Sequence, residues 1–360
     1  MIEITFASIL IALAIIPEFF GFLISLHGYF GSKYPHFKYQ ILIWGILIIG
    51  TSFLTISYIT LDIFPYKLGI IISGMAVFPV IFLVDSISSR DTVDSMKLTL
   101  ATILITMLIF FANEENSVQI QSSKLNEITP TTIGNFSLSV SLIFGIIGIF
   151  WFVYMLKIYL NSPNSIKKFA TLNLIGASIA GPGSAFLFAC GVVWIFPGSD
   201  YLLIGIGAFI CAFSFYKQPK LGYVLNFNVF RLFIQNAKSG VTIYSHTWDS
   251  TDRMDEDFFS QIIYGFNSVF CSTLNKGKIK EVQLDNATLI FHFDEKHSLI
   301  LALLISRSNK FLKNALETFS KKFAKEFSDQ LTEGIIWSDN PESVQKIVNQ
   351  SFPFVISYEQ

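Results

Sequence analysis

Long apolar stretches alternate with short polar connections through the first 216 residues of the chain. An α-helix needs about 20 apolar residues to span the hydrocarbon core of a bilayer. Seven stretches reach or approach that length, and the fourth and seventh are the shortest, which leaves six spans as the alternative count. We predict transmembrane spans at Ile4–Leu26, Tyr39–Thr60, Tyr66–Ser86, Met96–Ala112, Ile133–Leu160, Phe169–Phe196 and Tyr201–Tyr216.

The basic residues of the connections predict the orientation of these spans, because Lys and Arg favour the cytoplasmic side. One side holds Lys33, Lys38, Arg90, Lys97, Lys157, Lys167, Lys168, Lys217 and Lys220, and the other holds Lys67 and Lys124. We expect a cell-membrane protein with its N-terminus outside and its C-terminal domain in the cytoplasm. That arrangement needs an odd number of spans and favours seven. The longest connection, Asn113–Thr132, then lies outside, where we expect a solvated connector rather than a cap over a ligand.

After the membrane module (1–216) and a juxtamembrane linker (217–229), the pattern becomes that of a water-soluble domain (230–360). Alternating apolar runs predict five strands, and Gly240 supplies the positive φ of a tight hairpin turn between the first two. Amphipathic runs predict a helix after the acids Asp255–Asp257, a long helix and a short last helix. The order β-β-α-β-β-β-α-α predicts an α+β fold with a five-stranded antiparallel sheet. The predicted strands and last two helices are Phe230–Asn236, Val241–Trp248, Ile279–Leu284, Thr288–Phe293, Leu299–Ser306, Lys310–Leu331 and Pro341–Gln350.

Composition agrees with a membrane protein, since 52% of the 360 residues are hydrophobic and 14% are charged. The net charge of −1 averages two different halves, and no basic tract indicates a nucleic-acid partner. The three cysteines, Cys190, Cys211 and Cys271, lack disulfide or metal-ligand spacing. We therefore read them as small buried side chains.

Four residues inside the spans are candidate contacts for an intramembrane ligand. Glu18 follows Pro17 in the first span, and an ionisable group at that depth is costly enough to indicate function. Asn173 is a polar neighbour in the sixth span, where interhelical hydrogen bonding is the alternative role. Gly181 and Pro182 interrupt the same span; broken helices line some transport sites, although a simple kink between packed helices explains the break as well.

Catalytic and cofactor motifs are absent from the sequence: it has no GxxxxGK[ST], GxGxxG after a strand, GxSxG or HExxH. His246 and His292 lie in predicted strands and would face each other in one arrangement, with ordinary strand-face positions as the alternative. An acidic cluster from Asp249 to Asp257 lacks EF-hand spacing and is explained by a helix start. We expect no enzyme activity, no cofactor and no metal.

The strand and helix order, the Lys-Ser-Gly hairpin and Asp-Glu-Asp before an aromatic helix resemble longin-like domains of the roadblock/longin superfamily. The resemblance covers about Phe230–Phe352 and implies a partner among the small GTPases. The joint Lys217-Gln-Pro-Lys-Leu-Gly-Tyr-Val-Leu resembles the linker of archaeal membrane proteins that join a seven-span module to such a domain. The spans also resemble the seven-helix sensor module of some histidine kinases, but no phospho-acceptor or ATP-binding segment follows, so kinase activity is not implied.

Three functional hypotheses follow. The first is a membrane-anchored sensor or scaffold whose longin-like domain recruits a protein partner, a small GTPase in the first instance. The alternative is a transporter or permease with a regulatory cytoplasmic domain, with Glu18, Asn173 and the broken span as its basis. The third, compatible with the first, is a bilayer anchor whose soluble domain forms a homodimer.

Overall fold

The computed structural model describes residues 4–32, 34–87, 95–123, 127–193, 195–225, 228–248, 261, 265, 279–308, 310–327 and 341–355. The chain divides into two compact units, Met1–Leu225 and Asn226–Gln360. Of the predicted helix after Asp255–Asp257, only Gln261 and Gly265 are described, and both are helical. The acidic cluster that precedes this helix and Cys271 lie outside the described residues.

The first unit is a bundle of apolar helices. Seven segments of its described residues are long and apolar enough to cross a membrane, which agrees with the predicted number. The third of them, Ile63–Ile87, is the central one, since 67% of its apolar window is buried, against 17% for the fifth. The helices are α1 Phe6–Ser32, α2 Pro35–Thr60, α3 Ile63–Gly74, α4 Val77–Ile87, α5 Ser95–Ala112, α6 Gly134–Asn161, α7 Asn164–Ser178, α8 Ser184–Ala189 and α9 Ser199–Lys217.

The spans pack as neighbours around that centre. The α3–α4 span contacts α2, α5 and α6, whereas α1 lies against α2 and α9, and α7 against α6 and α9. At the end of the bundle where α4 meets α5, the Lys97 ammonium forms an ion pair with the buried carboxylate of Asp85. The ion pair neutralises the one acid of that helix.

The connection between α5 and α6 differs from the solvated connector that its polar sequence predicts. Val118–Ser122 (β1) and Ile128–Thr132 (β2) form an antiparallel hairpin, which contacts α2 and α3. Just before β2, the Glu127 carboxylate accepts hydrogen bonds from the backbone N–H groups of Phe6 (2.6 Å) and Ala7 (3.2 Å). Glu127 therefore caps the start of α1, where the helix dipole favours a negative charge.

The segment after α9 packs as part of the first unit. A 3₁₀ turn, Pro219–Tyr223, follows α9, and its Leu221, Gly222 and Tyr223 are buried. Gly222 lies against the imidazole of His36 so closely that a Cβ there would be 2.8 Å from Nδ1. A side chain at this glycine would have to push the turn away from α2.

The second unit contains the predicted five-stranded antiparallel sheet. Its strands run in the order β4-β3-β7-β6-β5, so the first hairpin lies beside the last three strands through the β3–β7 pairing. Two helices follow, α10 Lys310–Glu326 and α11 Pro341–Ser351. The strands are β3 Val229–Asn236, β4 Thr242–Thr247, β5 Glu281–Gln283, β6 Thr288–Asp294 and β7 Leu299–Ile305.

The central strand, β7, is buried along its whole length because both of its faces are covered. On one face its Ala302 lies between Phe233 of β3 and Phe291 of β6. The helices add an aromatic cluster in which Phe352 contacts both Phe319 of α10 and Trp248 after β4. Aromatic rings bury the largest area per residue, so these contacts hold helices and sheet together.

Candidate functional site

Glu18 lies where three helices meet. Its side chain projects from α1, is only 2% exposed, and accepts a hydrogen bond from the Thr51 hydroxyl of α2 to Oε1 (3.0 Å). On the other side lies Gly205 of α9: a Cβ there would be 3.2 Å from Cγ of Pro17 and 3.8 Å from Cγ of Glu18. The helix α1 continues through Pro17 without a break. The carboxyl group is thus enclosed by α1, α2 and α9.

A second polar pair lies on the same α1–α2 interface. The Ser25 hydroxyl donates to Oε1 of Gln40 (3.2 Å), and both side chains are buried. Between the two levels, the Trp44 indole packs against Gly21, where a Cβ would be 2.5 Å from two ring carbons. The interface therefore contains two separate polar contacts with a large apolar side chain between them.

Asn173 lies on a different interface, formed by α6, α7 and α9. Its Nδ2 lies 2.9 Å from the Met155 thioether of α6, and its backbone carbonyl accepts from the Cys211 thiol of α9 (3.3 Å). The side chain is fully buried. These contacts are those of a residue that joins packed helices.

Gly181 and Pro182 belong to a π-helical turn, Ile179–Gly183, between α7 and α8. Gly181 lies against α6 so closely that a Cβ would be 2.8 Å from the carbonyl oxygen of Gly148. The Ser184 hydroxyl donates to the carbonyls of Ala180 (2.7 Å) and Gly181 (2.9 Å), which provides partners in a turn where Pro182 donates none. The break in the span is thus packed against α6.

The four candidates lie on two interfaces of α9 and do not form one site.

A cluster that we did not predict lies at the end of the bundle where the β1–β2 hairpin is. The phenols of Tyr58 (α2) and Tyr66 (α3) share a side-chain hydrogen bond, with ring centroids 6.0 Å apart. Asp200 and Tyr201 at the start of α9 interact with them electrostatically, and the carboxylate accepts from the backbone of Tyr201. The sequence did indicate that these four residues could meet, because alternating spans place all four positions on one side of the membrane.

An open pocket of about 510 Å³ lies between the hairpin and the start of α6, and five of its eight lining residues have a hydroxyl or amide side chain. None of the four candidate residues reaches it. It is lined by Gln121, Thr131, Thr132, Ile133, Gly134, Ser137, Leu138 and Ser141.

The suggestion that His246 and His292 face each other is wrong. They lie on β4 and β6, with β3 and β7 between them, so the spacing of neighbouring strands separates them by roughly 14 Å. Burial lowers the pKa of both imidazoles. Across the described ranges, no group of three or more His, Cys, Asp or Glu side chains converges to hold a metal ion.

Comparison of the chain with protein-family models, with curated proteins and with solved structures found no match. The seven apolar helices indicate a multi-pass membrane protein, and an antiparallel sheet unit follows them. Any conclusion about function therefore depends on this architecture and on the residues described above.

Proposed function

We propose that the chain is a membrane-anchored sensor or scaffold whose longin-like C-terminal domain recruits a cytosolic protein partner, a small GTPase in the first instance. The sheet order β4-β3-β7-β6-β5 carries the proposal. In the longin-like interpretation, the first hairpin lies beside the later strands, and the antiparallel pairing of β3 with β7 is compatible with that arrangement. The helices α10 and α11 follow the last strand, as that interpretation also requires.

Two polar contacts join the helices of this unit to the edges of its sheet. Lys313 of α10 donates to the Glu281 carboxylate of β5 (2.7 Å) at one edge. The Tyr244 hydroxyl of β4 donates to Gln345 of α11 (3.1 Å) at the opposite edge. The proposal therefore depends on the topology of the unit and not on these side chains, which already have partners.

The cytoplasmic placement of the domain is part of the proposal, and a belt of lysines and aromatic rings supports it. Lys157 lies 5.3 Å from the Tyr154 ring centroid at the end of α6, and Lys167 lies 4.2 Å from that of Tyr159 at the start of α7. Lys217 lies 5.6 Å from that of Phe213 at the end of α9. Alternating spans bring these three helix ends to one side. Lys favours the cytoplasmic side, and aromatic rings are typical of either membrane–water interface.

Binding to a GTPase is tested with the full-length chain purified in detergent. We expect it to retain small GTPases in a manner that depends on whether GDP or a non-hydrolysable GTP analogue is loaded. A chain ending at Leu225, where the first unit ends, is the matched control and should retain none. Capture in neither nucleotide state, or equal capture by the shortened chain, would contradict the proposal.

Transport is the second candidate function, and the enclosed carboxyl of Glu18 is the observation that favours it. The closed packing around Gly181 gives it no support, since that break lies against α6. Flux of a solute through vesicles containing the wild-type chain, lost in Glu18→Gln, is the result that this function requires.

A further inference from the structure

Glu18 is an acid without a basic partner in the middle of the first span. The helices around it, α1, α2 and α9, carry two lysines, Lys38 and Lys217. Measured from Thr51 and Gly205, the residues that touch Glu18, these lysines lie roughly 18 Å or more along the helix axes. A carboxylate at this position would lack a counter-charge.

The nearest titratable groups on the same helices are two tyrosines, an acid and a histidine. On α2 the nearest is Tyr58, on α9 they are Asp200 and Tyr201, and on α1 it is His27, two and a half turns away. Thr51 of α2 donates a hydrogen bond to the carboxyl, and Gly205 of α9 lies against the Glu18 side chain at Cγ; neither residue titrates. An unpaired buried ion costs several kcal/mol, so the neutral acid is the form that fits this packing.

The geometry also assigns the position of the proton. Oε1 accepts the Thr51 hydroxyl, as a carbonyl oxygen does, while Oε2 is buried and has no hydrogen-bond partner in the described part of the bundle. A proton on Oε2 leaves the Thr51 hydrogen bond intact and removes the charge. The arrangement therefore matches a protonated carboxylic acid with Oε2 as its hydroxyl.

We propose that Glu18 is a reversible proton-binding site that links the charge of its carboxyl to the packing of α1 against α2 and α9. Binding transfers one proton from water to Oε2, and release returns the proton to water and leaves a carboxylate. The carboxylate then favours hydration, which requires α1 to move away from Gly205. Pro17 makes this movement of α1 easier, because the helix lacks one hydrogen-bond donor there and bends at lower cost.

Infrared spectroscopy of the full-length protein in lipid vesicles tests the site directly. We expect a carbonyl band of a protonated carboxylic acid that disappears as the pH is raised and returns as it is lowered. Glu18→Gln should lack this band, whereas Asp200→Asn, which removes the half-buried acid of α9, should keep it. Thr51→Val should shift the frequency of the band, because the carbonyl loses its hydrogen-bond donor.

Hydrogen exchange of α1 in the same vesicles tests the link to packing. We expect the α1 amides to lose protection, measured against their intrinsic exchange rate at each pH, at the pH where the band is lost. Glu18→Gln keeps the neutral, packed form and should remove this loss of protection. The proposal is overturned if the band is absent, survives in Glu18→Gln or does not respond to pH, or if exchange of α1 is the same in wild type and variant at every pH.

Discussion

At the scale of single residues, the β6–β7 turn contains a hydrogen-bonded acid whose titration should affect stability. The Asp294 carboxylate accepts from Nδ1 of His297 (2.8 Å) and from the His297 backbone N–H (3.3 Å). Burial raises the pKa of Asp294, but these hydrogen bonds lower it by more, and the net pKa lies below its ordinary value. Asp294 therefore stabilises the fold above the unfolded-state pKa, and this contribution is lost as the pH falls through the folded-state pKa.

We predict that Asp294→Asn weakens the β6–β7 hairpin by about 0.5–1 kcal/mol near neutral pH, since the pair is partly exposed. Hydrogen exchange of β6 and β7 in the full-length protein measures the effect. The difference between wild type and variant should shrink as the pH falls towards the acid range. Asp285→Asn, in the preceding turn, is the control; an equal loss of protection there would contradict the role assigned to Asp294.

The sequence could predict the role of a residue where that role depends only on its neighbours in the chain. Gly240 has the predicted positive φ, 72°, because the hairpin requires it and glycine adopts it freely. Ser298 has a φ of 53°, which its residue type does not indicate. The cap that Glu127 places on Phe6 was equally beyond prediction, because the two residues are far apart in sequence and meet only in the folded bundle.

At the scale of elements, glycines set the distance between helices in the bundle. The backbone at Gly207 of α9 lies so close to α7 that a Cβ would be 2.5 Å from the carbonyl oxygen of Gly176. It would also be 2.6 Å from the backbone nitrogen of Ala180, in the π turn. Because both neighbours are backbone atoms, they cannot turn aside as a side chain would.

We predict that Gly207→Ala lowers the free energy of unfolding in detergent by about 1–3 kcal/mol, the usual cost of overpacking. Gly145→Ala on α6 is the matched control, because a Cβ there meets nothing within 4 Å. It makes the same chemical change in a helix and should be close to neutral. Thermal unfolding of both variants gives the comparison, and equal melting temperatures would show that Gly207 has no special packing role.

Most elements with a clear hydrophobic period matched the structure within a few residues, whereas polar ones did not. The sixth span is an exception, since it was predicted at Phe169–Phe196 and extends over Asn164–Leu187. The strand Leu299–Ser306 was predicted from its continuous apolar run and extends over Leu299–Ile305. The hairpin of β1 and β2 was missed because the apolar alternation of β1, Val-Gln-Ile-Gln-Ser, has only two apolar residues, and β2, Ile-Thr-Pro-Thr-Thr, has no such alternation. The third span was predicted as one helix, but α3 and α4 are separated at Met75–Ala76, between Gly74 and Pro79, two residue types that favour such a break and that the apolar pattern alone does not register.

At the scale of the whole molecule, the sequence predicted the seven apolar spans and the sheet, but not how polar groups meet. Hydropathy shows where a helix is buried in lipid, and it does not show which neighbour faces it. Glu18 and Asn173 were therefore predicted together as contacts of an intramembrane ligand, although the structure places them against different sides of α9. Tyr58 and Tyr66 were overlooked because tyrosine counts as apolar in such a pattern, while its hydroxyl forms the hydrogen bond.

Orientation in the membrane decides whether the second unit can meet a cytosolic partner, and cysteine labelling tests it. Each Lys near anionic headgroups adds roughly 1 kcal/mol of attraction, so the lysine-rich ends of α6, α7 and α9 favour the cytoplasmic face. In a chain whose three cysteines are replaced, Ser122→Cys in β1 should react with an impermeant maleimide in intact cells. Lys322→Cys, exposed on α10, should react only after lysis. Labelling of Lys322→Cys in intact cells would reverse the orientation and leave the C-terminal domain outside, where it could not recruit a small GTPase.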